Sequence, residues 1–289
     1  MNELTAARGV YFLSSNKLFE QTVAFLRSFR THNPTIALCL IPSNSKVDRI
    51  LALQSAYSFS VLDDADLLAG CDAISEQFHG HVLGTYRKLA AWEGIFDAFI
   101  YIDVDTVVLA PIDFAFEFLD YGNYIASHSN IESIRPSVWK ESIYDTNLLT
   151  APQISYSVNT GFFVSTRGLF KLKHCQAKVA GALQLKDSME LFFGEQSFLN
   201  YLVVTSGYAY TSFTTLHASG VALPTQFVFW AGNPGGRVEG GKLHFRDDVP
   251  IFLLHWTGIW QKIAGLVDEL PYRELWEHYR RPQLAPDLL

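Results

Sequence analysis

The feature that most constrains this fold is an alternation of short β-rich runs with helix-patterned segments up to residue 102. Residues 9–14 read as a strand. Residues 16–31 follow with Phe19, Val23, Leu26 and Phe29 at helical spacing. The pattern continues with a strand at 35–41, a helix at 47–56 and a strand at 59–62. A helix at 86–95 then feeds an apolar strand at 98–102. Such an alternation predicts an α/β chain with a Rossmann-like, mainly parallel central sheet flanked by helices. Ligands of such sheets sit at the carboxyl ends of the strands.

Beyond Pro111 the regularity falls away. Residues 128–155 are polar and carry Pro136 and Pro152, and residues 219–250 enclose the turn-rich Asn233-Pro-Gly-Gly236. Long loops in a compact domain are commonly binding loops. Residues 269–281 read as a closing helix with Leu270, Leu275, Trp276 and Tyr279 apolar, and packing on the domain is the expected role. One domain is expected over 1–289. Its nucleotide-binding half covers about 9–113, its sugar and acceptor half about 114–265, and a C-terminal helix and tail the remainder, 266–289.

The net charge of −7 and the lack of a basic run exclude a nucleic-acid partner, because phosphate backbones reward clustered Lys and Arg. No stretch reaches the roughly 18 uninterrupted apolar residues of a membrane helix. The opening residues also lack the basic end and apolar middle of a secretion signal. Cys39, Cys71 and Cys175 are scattered, so neither a disulfide framework nor a zinc site is indicated, and a cytoplasmic setting is expected.

The apolar run before residue 103 ends in Asp103-Val-Asp105. Along a strand the side-chain period is two, which sends both carboxylates to one face and Val104 to the other. Hard oxygen ligands of this kind suit Mg²⁺ or Mn²⁺ with a phosphorylated substrate. The pattern alone is weak: roughly one Asp-x-Asp is expected by chance in a chain this long, and Asp64-Ala-Asp66 is a second. The same residues also fit the Asp-x-Asp-x-Thr/Val signature of haloacid-dehalogenase-type phosphatases. Asp103 would then be a nucleophile, and Asp247-Asp248 would imitate the later acidic pair.

Residues 85–92 and 96–113, taken with four further blocks in order, resemble glycosyltransferase family 8, glycogenin-like members in particular. The blocks are Leu13-Ser-Ser-Asn16 with Phe19, Asn159-Thr-Gly-Phe162, Glu195-Gln196 with Asn200, and His255-Trp-Thr-Gly258. The resemblance implies a GT-A fold and retaining transfer of a hexose from a nucleotide-diphospho-sugar, a UDP-sugar in the first instance. The acceptor would be a hydroxyl on a carbohydrate, a glycolipid or another molecule. A homodimer is compatible with it.

Residue by residue, the resemblance assigns Asp103, Asp105 and His255 to a divalent metal, with Asp103 also near the donor. An imidazole ligand favours Mn²⁺ over Mg²⁺. Ser14, Ser15, Asn16 and Phe19 fall where the base is contacted, although Asn16 also suits a helix N-cap and Phe19 a core position. Lys88 falls beside the donor; its ordinary reading is a surface lysine. Asn159, Glu195 and Gln196 are the catalytic candidates. Gly161 permits close approach, and Gly258 with Lys262 closes on the diphosphate.

The chain also departs from the pattern. Glu195 stands for a shorter Asp, His128-Ser-Asn130 follows the strand at 124–127 where an Asp is usual, and the Lys-Pro-Trp expected after Gly258 is absent. These departures motivate an alternative, a protein that binds a sugar nucleotide without transferring it. A nucleotidyltransferase would carry a Gly-rich, basic loop after the first strand, and Leu13-Ser-Ser-Asn-Lys17 has none.

Overall fold

A computed structural model describes residues 7–224, 226–245, 251–263 and 266–281 of the chain. Asp247-Asp248 and the tail from residue 282 lie outside the described residues. The strands are β1 Arg8–Ser14, β2 Ala37–Pro42, β3 Ser60–Val61, β4 Ala98–Asp103, β5 Thr106–Val108, β6 Tyr124–Ala126, β7 Phe162–Thr166, β8 Tyr210–Ser212, β9 Gln226–Trp230, β10 Arg237–Glu239, β11 Lys242–His244 and β12 Ile251–His255. A seven-stranded sheet has the order β3-β2-β1-β4-β7-β6-β8, and a three-stranded sheet the order β5-β12-β9. In the large sheet β1 runs parallel to β2 and β4, β2 to β3, and β6 to β8; only the pairs made by β7 are antiparallel.

Alternate residues of the central strands enter different cores. Tyr11, Leu13, Cys39 and Ile41 face the cluster that includes Leu68, Cys71, Ile74 and Phe78 of the helix Ala65–His79. Val10, Phe12, Leu38 and Leu40 face Phe25, Leu26 and Phe29 of the helix Phe19–His32. Burial on both faces is why these strands read as near-continuous apolar runs. The closing helix, Arg273–Arg280, packs on Phe19–His32: Arg27 Nη1 donates to the Arg280 carbonyl at 2.9 Å, and Arg280 Nε lies 2.6 Å from Glu20 Oε2. All three cysteines are buried free thiols.

Several local expectations need correcting. Residues 47–56 form two single-turn helices, Asp48–Leu51 and Gln54–Tyr57. Residues 84–93 form a 3-10 rather than an α-helix. The sequence reading also missed the helix Ala65–His79, which begins at Asp64: its side chain accepts the Leu67 N–H at 3.0 Å. The second Asp-x-Asp is therefore a helix cap. No helix among the described residues is long and apolar enough to cross a membrane.

Candidate functional site

β4 ends at Asp103, and Asp105 lies in the bend before β5. Strand alternation is thus not what brings the two acids together. The bend is held by one local and one long-range bond: Thr106 Oγ1 donates to the Asp103 carbonyl at 2.7 Å, and the Trp256 N–H to the Asp105 carbonyl at 3.0 Å. The register of β12 against β5 pairs His255 with Thr106. This carries the imidazole across 150 residues of sequence to the bend, where its Nε2 lies 3.1 Å from Asp105 Oδ1. One ligand atom from each of Asp103, Asp105 and His255 falls within 4.8 Å of the others. Two carboxylate oxygens and an imidazole nitrogen at such spacing fit a divalent cation of the Mn²⁺ or Mg²⁺ kind.

Gly161 makes this convergence possible. Its N–H is held by Asn159 Oδ1 at 2.9 Å and its carbonyl accepts the Asp103 N–H at 2.8 Å. A Cβ there would stand 2.2 Å from His255 Cε1 and 2.8 Å from Asp103 Oδ2.

Beside the triad lies a buried ion pair. Lys88 Nζ is 2.5 Å from Glu195 Oε1 and 3.4 Å from Asp103 Oδ1, donates to the Thr160 carbonyl at 3.1 Å, and lies 4.5 Å from the centre of the Tyr101 ring. Lys88 is no surface lysine. Burial alone would lower its ammonium, but Asp103 and Glu195 outweigh that and raise it above its ordinary value. Asp103 is raised: enclosure disfavours its charge, Lys88 opposes this, and Asp105 adds repulsion. His255 is raised too, because Asp105 overcomes the desolvation that would lower it. Three carboxyl groups, of Asp103, Asp105 and Glu195, thus gather about one ammonium, an arrangement that favours a further cation.

The remaining polar groups are tied to each other. Thr160 Oγ1 donates to Glu195 Oε1 at 3.0 Å. Gln196 Oε1 accepts from Asn159 Nδ2 at 3.1 Å, while its Nε2 donates to the Ser137 carbonyl at 2.9 Å. Asn200 clasps both the N–H and the carbonyl of Val158, each at 2.9 Å.

A cavity of about 510 Å³ is lined by Lys88, Asp103, Asp105, Asn159, Glu195, Gln196 and Gly258 together with Lys17, Gln21, Thr257 and Trp260. His255 and Gly161 stand directly behind its acids. Ser15 and Asn16 line a neighbouring hollow of about 420 Å³, and Lys17 touches both. Asn16 is not an N-cap: it donates to Asp48 Oδ1 at 2.6 Å and accepts the Arg49 N–H at 3.0 Å. Ser14 is buried against Thr22 Oγ1 at 2.6 Å. Phe19 is partly buried, packs on the core, and is covered by the Arg49 guanidinium at 4.0 Å. Ser14, Phe19 and the exposed Lys262 are absent from the lining of either hollow.

The sequence reading missed Tyr101, whose hydroxyl donates to Asp103 Oδ1 at 2.8 Å. The strand period that aligned Asp103 also places Tyr101 two residues earlier on the same face. It missed Thr160 as well, which no motif distinguishes from an ordinary turn residue.

Searches of protein-family profiles and of curated protein sequences find no match. Solved structures do match. The apo bifunctional glycosyltransferase WbbM superposes with a TM-score of 0.58 at 16% identity, over 99% of this chain and 51% of its own, so this chain spans about half of WbbM. The galactosyltransferase LgtC, in complex with donor and acceptor sugar analogues, gives 0.56 at 13% identity, over 96% of this chain and 98% of its own. The fold is thus that of GT-A glycosyltransferases. It does not support the phosphatase reading.

Proposed function

We propose that this chain is a retaining hexosyltransferase that moves a hexose from a nucleotide-diphospho-sugar, a UDP-sugar by preference, to an acceptor hydroxyl. The observation that carries this reading is the convergence of Asp103, Asp105 and His255 within 4.8 Å on a cavity that also holds Lys88 and Glu195. The fold shared with LgtC, whose structure holds donor and acceptor sugar analogues, supports it. We read residues 1–289 as one such domain, working in the cytoplasm.

In this reading Asp103, Asp105 and His255 hold Mn²⁺, or Mg²⁺ in its place. Such an ion supplies neutralisation of the charge that develops on a departing diphosphate. Lys88, raised and buried, remains a cation and holds Glu195 and Asp103 in place. Glu195 and Gln196 orient the hexose, and their fixed side chains need no reorganisation as the sugar gains oxocarbenium character. Asn159 sets the Gly161 turn. Ser15 and Asn16 frame the base, Ser14 supports that loop from the core, and Gly258 borders the diphosphate, while Lys262 stands outside the cavity lining.

In the transfer step, the bond from the anomeric carbon to the diphosphate oxygen breaks and a new bond to the acceptor oxygen forms on the same face. The acceptor proton passes to the leaving diphosphate, so no protein base is required.

A thermal-shift series with UDP-sugars, with and without Mn²⁺, tests the reading. Stabilisation that needs both nucleotide and ion, and that Asp105→Asn abolishes, is expected. Turnover of a nucleotide-sugar that survives Asp105→Asn with unchanged Mn²⁺ dependence would overturn it. Binding without hydrolysis or transfer would instead favour a sugar-nucleotide-binding protein.

A further inference from the structure

β9 runs parallel to β12, and its register sets Trp230 directly beside His255. Lateral neighbours in a sheet project to the same face. The row Thr106, His255, Trp230 therefore leads from the acidic bend to an indole at the edge of the site. The Ala231 N–H donates to the His255 carbonyl at 2.8 Å, which locks the register there.

Trp230 is 47% exposed, an unusual state for a side chain so large. It is nonetheless fixed in place. Its indole N–H donates to the Thr257 carbonyl at 3.2 Å, and Thr257 lines the 510 Å³ cavity. Gly232 leaves the space the ring occupies: a Cβ there would stand 2.4 Å from the six-membered ring. On the cavity wall, Phe193 packs close to Gly258, and Phe192, 63% exposed, stands edge-on to Phe193 with ring centres 5.0 Å apart. Phe192 thus lines a cavity that carries Thr257, Asn159 and Gln196 beside the apolar Leu13, Leu18 and Leu83, and Trp230 adjoins it through the Thr257 carbonyl.

We propose that Trp230, with Phe192, forms the acceptor platform and that the acceptor is a saccharide whose ring stacks on the indole. The proposal rests on the transferase reading above and names the substrate class for its acceptor side. A pyranose presents a face of C–H groups within a rim of hydroxyls. Isolated aromatic plates set among polar groups match that pattern, and stacking on such plates contributes affinity beyond simple burial. The pinned ring also costs little entropy to use, since its N–H bond and Gly232 have already set its orientation.

Saturation-transfer NMR on the full chain, with methyl β-galactoside, methyl α-glucoside, lactose and maltose as probes, tests the proposal. Binding of at least one saccharide is expected, with the strongest transfer to its C–H face. Trp230→Ala should weaken it about tenfold, while Trp230→Phe retains most of it. Unchanged thermal unfolding of Trp230→Ala would show that the loss is local, and Gly232→Ala, which displaces the ring, should weaken binding in parallel. Phosphatidylcholine vesicles and a Ser/Thr-containing peptide are run alongside. The proposal is overturned if no saccharide binds, if binding ignores Trp230→Ala, or if only the vesicles or the peptide bind in a Trp230-dependent way. Binding of UDP with Mn²⁺ to the unaltered chain is measured separately. Failure there refutes the transferase reading, whereas failure of the saccharide arm with UDP bound refutes only the acceptor platform.

Discussion

Lys88 Nζ and Glu195 Oε1 form a 2.5 Å ion pair between side chains that are each at least 95% buried, 107 residues apart in sequence. Removing one partner of such a pair strands the other charge out of water, whereas replacing both is far less costly. Lys88→Met is therefore expected to destabilise the protein by about 3 kcal/mol in urea unfolding. Lys88→Met combined with Glu195→Gln should recover much of that loss. A double variant no more stable than Lys88→Met would show that the pair is not the source of the effect.

Gly161 leaves no space for a methyl group between itself and the triad. Gly161→Ala is expected to push His255 and Asp103 apart, weakening Mn²⁺ binding by about tenfold or more at a stability cost of about 1–3 kcal/mol. Calorimetric titration of Mn²⁺ against both forms checks it. An unaltered affinity would mean that the ion does not sit where these three side chains meet.

The two Asp-x-Asp patterns should separate cleanly. Asp64→Ala removes a cap on the Leu67 N–H and should cost about 1 kcal/mol of stability without touching Mn²⁺ affinity. Asp105→Asn should do the reverse: retain most of the stability and lose the ion-dependent thermal shift. Equal effects of the two changes on Mn²⁺ binding would contradict this division.

His128 contributes to the pH dependence on the acid side. Burial lowers its imidazole from the ordinary 6.5 to about 4, so the folded chain resists a proton that the unfolded chain accepts. Its contribution is fully present above pH 6.5 and is lost as pH falls toward 4, on the order of 3 kcal/mol in all. Replacing it by Gln should flatten the acid limb of the stability profile across that window. Parallel profiles for the two proteins would show that other groups set the slope.

Much of the fold was legible because it follows from local rules. The strand at 9–14 and the helix after it came from side-chain period alone, and both stand within a few residues in the structure. Errors arose where local patterns compete. Residues 84–93 have helical spacing but wind as a 3-10 helix. The cap reading of Asn16 fails because its amide bridges to Asp48 and Arg49, residues that reach it only through packing.

The sequence by itself determined the alternation of strands and helices and the apolar run of β4 that ends at Asp103, because backbone sterics and side-chain period act between near neighbours. Only the tertiary structure decided that Asp103 and Asp105 meet His255, and that Lys88 is buried against Glu195 instead of solvated. Those outcomes depend on the β5–β12 register and on the exclusion of water, and both arise between segments far apart in the chain.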